Sequence, residues 1–178
     1  MGDLKKARAA LTRHQVDMRK MYAEKRIIMN INIDKLHCLI DLHVHLDGSV
    51  SIPMAKRLAL INGIELNESE EDLKERLQVS KDCRDLNEYL EKFEIPLECL
   101  QTEKGLERAG YDFMKSAAAD HVNYIEARFA PLFSRQRGLS TEQVIESVLR
   151  GMEQGKKEFD IDYGVIVCAM RHEKEEAN

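Results

Sequence analysis

Two histidines and two acids crowd into one apolar stretch, Ile40-Asp41-Leu42-His43-Val44-His45-Leu46-Asp47-Gly48. The apolar positions before and within it, Leu36, Cys38, Ile40, Leu42, Val44 and Leu46, recur with period two, which predicts a strand from Lys35 to Leu46. On a strand, residues i and i+2 share a face, so His43 and His45 point the same way, roughly 6.5–7 Å apart along the backbone. Two imidazoles at that spacing can converge on one cation, with ligand bonds of about 2.0–2.1 Å each. Asp41 and Asp47 have the same parity and are expected on that face. Leu42, Val44 and Leu46 are expected on the other, packed on helices. Asp47-Gly48 ends the strand, where a carboxylate could reach ligand space above a metal. A bare His-x-His is a weak signal. Its place after an apolar strand and before Asp-Gly strengthens it. The competing reading is two histidines satisfied by hydrogen bonds at a strand end, and burying both without partners would be costly.

Other chemistries lack their residues. The zinc-deaminase signature with H-x-E and P-C-x-x-C is absent. So are H-E-x-x-H, a P-loop, G-x-G-x-x-G and a G-x-S-x-G elbow. Four cysteines, at 38, 83, 99 and 168, form no C-x-x-C pair, so reduced thiols in a cytoplasmic protein are expected rather than a zinc ribbon or a disulfide scaffold.

The elements that must position the histidines follow from pattern. Pro53 suits a first helical turn, and that helix is expected to end near Asn62-Gly63. "NESEEDLKERLQV" reads as a surface helix. "RDLNEYLEKFEIPLECL" carries Leu86, Tyr89, Leu90 and Phe93 at helical spacing, with an interruption expected at Pro96. A long helix spans about Thr102 to Ala119. "VNYIEARFAP" is a second strand that stops at Pro131. "LSTEQVIESVLRGMEQGKKEF" is a helix capped at Ser140 or Thr141, and "IDYGVIVCAMRH" is a third strand. Strand, helices, strand, helix, strand is the order of parallel βα units, an α/β fold. His43, His45 and Asp47, then Glu126 and Arg128, then Arg171 and His172 gather at the C-terminal strand ends, where α/β proteins place their sites.

The bulk numbers agree with one soluble domain. The chain has 178 residues, 43 % hydrophobic, with net charge −5, so no global charge invites nucleic acid or an anionic membrane. No apolar run approaches the roughly 18 residues of a membrane span. Residues 1–30 hold eight Lys/Arg against three Asp/Glu and lack the apolar core of a secretory signal. They are expected to form a helical N-terminal extension.

Four segments, "LHVHLDGS", "LNEYLEKF", "YIEARFAP" and "CAMRH", resemble adenosine deaminases in order and approximate spacing. The resemblance covers about Lys35 to His172. Those proteins are zinc-dependent (β/α)8-barrel hydrolases of the amidohydrolase group. The resemblance implies that residues 31–178 are the N-terminal part of such a barrel, with about three parallel strands and covering helices. It implies His43 and His45 as two ligands of one Zn2+ per complete site. His45, Asp47 and Gly48 would meet the substrate, Asp47 through a ribose hydroxyl. Leu86, Tyr89, Leu90 and Phe93 would close an apolar gate over the purine, and Met170 would line its pocket. For the gate residues and Met170 the competing reading is core packing. Arg128, Arg171 and His172 resemble positions that brace strand ends, and Glu126 fits a polar network better than a base. The implied reaction is hydrolysis of adenosine to inosine and ammonia, with zinc lowering the pKa of a water toward 7.

The same resemblance exposes what is missing. A third zinc histidine, an acid/base glutamate, a further histidine and a terminal aspartate come from later strands in that family. Three strands stand where a closed barrel has eight. The chain is therefore expected to be a truncated, inactive fragment with no catalytic residue of its own. A non-catalytic module that binds a metal, a nucleoside or a partner is the alternative, as is part of an adenine or modified-nucleoside deaminase. Exposed strand edges are expected to favour self-association.

Overall fold

The computed structural model describes residues 38–171. The expected helix over 1–30, the first residues of the expected strand and His172 lie outside them. Among the described residues, no helix is long and apolar enough to cross a membrane.

Three parallel strands form the sheet: β1 Ile40–His45, β2 Tyr124–Phe129 and β3 Asp162–Val167. Their order is β1-β2-β3, with β2 paired on both sides. Between β1 and β2 come α1 Ile52–Asn62, α2 Glu70–Leu77, α3 Leu86–Leu90, α4 Glu94–Cys99 and α5 Glu103–Ala119. Between β2 and β3 lies α6 Thr141–Phe159.

Local chemistry explains most boundaries. Helix α1 takes Pro53 in its first turn and ends at Gly63, whose φ of 65° lets its N–H reach the carbonyls of Ala59 and Leu60. Ser69 and Asp72 form a capping box on α2, which buries only Leu73 and is the surface helix expected. Ser140, not Thr141, caps α6, in a box completed by Gln143. Thr102 caps α5 by accepting from the Gly105 N–H.

The helical run after Arg84 breaks where the pattern did not place it. Pro96 sits within the first turn of α4, where no helical N–H bond is needed, so it interrupts nothing. The break comes earlier, in a 3-10 turn over Glu91–Phe93.

The core lies between one face of the sheet and the helices. Ile125, Ala127 and Phe129 of β2 are buried with Leu106, Phe113 and Met114 of α5 and Val144, Val148 and Met152 of α6. Helices α5 and α6 pack at backbone distance. A Cβ on Gly151 would stand 1.8 Å from the Glu107 carbonyl oxygen, so no side chain fits there. Arg57 from α1 and Arg108 from α5 both bind Asp112, whose side chain is 2 % exposed.

Paired residues of parallel strands share a face. Tyr124, Glu126 and Arg128 therefore occupy the open face, with Asp162, Gly164 and Ile166 beside them. The β1 register shifts between Asp41 and Val44: Asp41 pairs with Ile125, but Val44 pairs with Ala127 and His45 with Arg128. One extra residue, a bulge, is inserted there.

Candidate functional site

The bulge corrects the simple alternation. Asp41 shares the column of Ile125 on the helix-facing side, and His45 shares the column of Arg128 on the open side. Asp41 therefore does not line the face of His45. Leu42 is 55 % exposed and does not pack on the helices, whereas Val44 and Leu46 do. The two imidazoles do lie together, with ring centroids 5.7 Å apart and planes tilted by 32°.

Above His45 the chain turns sharply. Leu46 N–H donates to the Arg128 carbonyl at 3.0 Å, which keeps the end of β1 against β2. Asp47–Ser49 forms a 3-10 turn, and the Ser49 hydroxyl donates to the His45 carbonyl at 2.6 Å. Ser49 was not singled out from sequence; a hydroxyl four residues after the second histidine is the only local signal. The turn brings Asp47 Oδ1 to 3.8 Å from His45 Nδ1. Asp47 also accepts from the Gly48 N–H at 2.9 Å.

Burial sets the electrostatics of this pair. It lowers the His45 pKa, and the neighbouring His43 and Arg128 lower it further against the opposing pull of Asp47. The neutral imidazole so favoured is the form that binds a metal. Burial raises the Asp47 pKa, partly offset by His45 and by backbone N–H groups. Arg128 Nε is buried and has no hydrogen-bond partner among the described residues. Glu126 accepts from the Tyr124 hydroxyl at 3.3 Å, a polar network as expected.

The segment from Asp85 to Phe93 reaches the same place. Asp85 caps α3 by accepting from the N–H groups of Asn87 and Glu88. Tyr89 and Phe93 meet edge to face with centroids 5.3 Å apart. The Phe93 ring lies over Gly48, 3.6 Å from where a Cβ would stand. Burial, aided by the Asp47 charge, pushes the Tyr89 hydroxyl up to about 12. Leu86 and Leu90 are 48 % and 52 % exposed, so core packing does not account for them. Met170 lies beyond the end of β3, at the same C-terminal edge of the sheet, and is half-buried. Arg171 is exposed in a turn.

Two nitrogen donors on one side of a strand suit zinc, which is commonly held by three protein ligands and a water in catalytic sites. Among the described residues no cluster of three or more His, Cys, Asp or Glu side chains is placed to hold a metal ion. His43 and His45 thus fit two positions of such a site.

Residues 38–178 match the family model described as adenosine deaminase. The chain belongs to the adenosine deaminase family. An adenosine deaminase of Enterococcus faecalis is 40 % identical over 138 residues, covering 78 % of this chain and 41 % of that protein. One from Streptococcus mutans is 44 % identical over 138 residues, 76 % of this chain and 40 % of its own length. The chain thus spans about two-fifths of the length of these deaminase relatives. Among solved structures, adenine deaminase from Arthrobacter aurescens superposes with a TM-score of 0.67 at 25 % identity, over 78 % of this chain and 42 % of that one. An amidohydrolase from Burkholderia ambifaria with bound zinc superposes with a TM-score of 0.64 at 17 % identity, over 79 % of this chain and 38 % of that one, a likeness of fold. The three strands and their covering helices are part of the (β/α)8 barrel of these deaminases.

Proposed function

We propose that this chain supplies the first metal ligands and the nucleoside-gripping edge of a zinc-dependent adenosine deaminase. The observation that supports this reading most is the pair of imidazoles at 5.7 Å, with Asp47 beside His45 and the Phe93 ring over the adjacent Gly48. His43 and His45 would hold the zinc through neutral nitrogens. The zinc would supply the Lewis acidity that makes a water acidic near neutral pH. Asp47, with a 14 % exposed side chain, would accept a hydrogen bond from a sugar hydroxyl. Gly48 leaves the backbone open to that sugar. Leu86, Tyr89, Leu90 and Phe93 would lay an apolar cover on the purine and exclude water, and Met170 would line the far wall. Residues 31–178 act in this reading as the N-terminal part of one barrel in the cytoplasm, with residues 1–30 as an extension.

The acid that protonates the purine ring and the remaining metal ligands would come from strands outside this chain. The 178 residues alone are therefore expected to release no inosine from adenosine. The test compares the chain alone with the chain mixed with the remaining part of a relative such as the Enterococcus faecalis enzyme, with metal content measured in each. Zinc-dependent inosine formation only in the mixture supports the reading. Formation by the chain alone, or retention of zinc by a His43→Ala/His45→Ala double variant, would overturn it.

A partner-binding module is the second reading. It draws on the outer strands of the described sheet, where Ile40, Leu42 and Val167 are 57 %, 55 % and 50 % exposed. A second copy of the chain would be its simplest partner, detected as a concentration-dependent dimer by sedimentation.

A further inference from the structure

We propose that Asp41 is the positioning residue of this site. Its carboxylate pins the bulge that turns both histidines onto the open face of the sheet. This inference rests on the reading of His43 and His45 as metal ligands.

The argument starts from register. Asp41 pairs with Ile125 and Val44 with Ala127, so two residues of β1, Leu42 and His43, answer to Glu126 alone. Continued without that insertion, the pairing would set His43 opposite Ala127 and His45 opposite Phe129. Both positions face the helices: Ala127 is 0 % and Phe129 5 % exposed. A one-residue slip carries every following side chain to the other face. The bulge thus decides whether the imidazoles meet a ligand or the apolar core.

A bulge leaves the extra residue outside the regular ladder. Here the His43 N–H donates to Asp41 Oδ1 at 3.1 Å, a side-chain acceptor two residues back. A short carboxyl or amide side chain suits this contact, because it can bond its own backbone two residues on. The residue closing the bulge is thus fixed to the ligand it aims. Asp41 touches neither metal nor substrate in this scheme.

The test uses the full chain, with zinc titrated calorimetrically into wild type, His43→Ala, Asp41→Ala and Asp41→Asn. Zinc binding is expected to be lost in His43→Ala and weakened about ten-fold in Asp41→Ala, the lower end of the effect of outer-shell partners. Asp41→Asn keeps the acceptor oxygen and is expected to restore wild-type affinity, which a purely electrostatic role would not. In the metal-free chain, the magnetic-resonance cross-peak between the His43 and His45 rings is expected to persist in Asp41→Asn and vanish in Asp41→Ala. Wild-type affinity and an intact cross-peak in Asp41→Ala, alongside loss of binding in His43→Ala, would refute the positioning role while leaving the metal reading standing. Zinc binding unchanged by His43→Ala would overturn the metal reading and the positioning role with it. If Asp41→Ala does not fold, amide exchange in the wild type decides: a His43 N–H exchanging as fast as a free exposed amide refutes the role.

Discussion

The two faces of this sheet are built on different terms. On the helix side, the β2 column Ile125, Ala127 and Phe129 is 4 %, 0 % and 5 % exposed, and α5 and α6 close over it. Each large apolar side chain buried there contributes roughly 1.5–3 kcal/mol. On the open side stand His43, His45, Glu126 and Arg128, with Ile40 and Leu42 more than half exposed at the edge. One face holds the fold, and the other carries the ionisable side chains. The difference teaches that stability and site are separable here: substitutions on the helix side should unfold the chain, and those on the open side should change binding alone.

The sharpest break would come from the helix contact. Gly151→Leu forces a side chain into the Glu107 backbone and should cost about 3 kcal/mol or abolish folding, measured by urea denaturation. Next, Asp112→Ala strips two arginines of their shared buried carboxylate and should cost about 2 kcal/mol in the same assay. An equal loss from Glu126→Ala on the open face would blur the comparison.

A pH series sharpens it further. Burial, with a smaller push from the Glu98 charge, raises the Cys99 thiol from 9.0 to about 11. Below pH 9 both folded and unfolded states keep that proton, so the thiol adds no pH dependence. Above it the unfolded chain loses the proton first, and stability falls as pH rises from about 9 toward 11. Cys99→Ser should remove that part of the slope in denaturation measured across the range. In alkylation at pH 8, Cys99 should react far more slowly than exposed Cys38.

The smallest effect on stability should come from α3. Leu86→Ala and Leu90→Ala, both on exposed positions, should shift unfolding by no more than about 0.5 kcal/mol. If either costs several times that, α3 belongs to the core and the two-face division fails.

The order of strands and helices, the Gly63 cap, the start of α6 at Ser140 or Thr141 and the side-by-side placement of His43 and His45 were all readable from the chain. Each depends on contacts within a few residues: alternation, a capping hydroxyl, a left-handed glycine. The face of Asp41 and Leu42 was not readable, because the bulge exists only relative to a neighbouring strand more than 80 residues away in sequence. Nor was the break at Glu91–Phe93 that sets the Phe93 ring over Gly48, since Pro96 gave a louder local signal. The backbone contact of α5 and α6 at Gly151 was equally silent. Local spacing indicated which ionisable residues lie side by side and which elements hold them. Pairing and packing between distant segments decided which way those residues point, because the direction of a side chain depends on the partner strand and not on its own sequence.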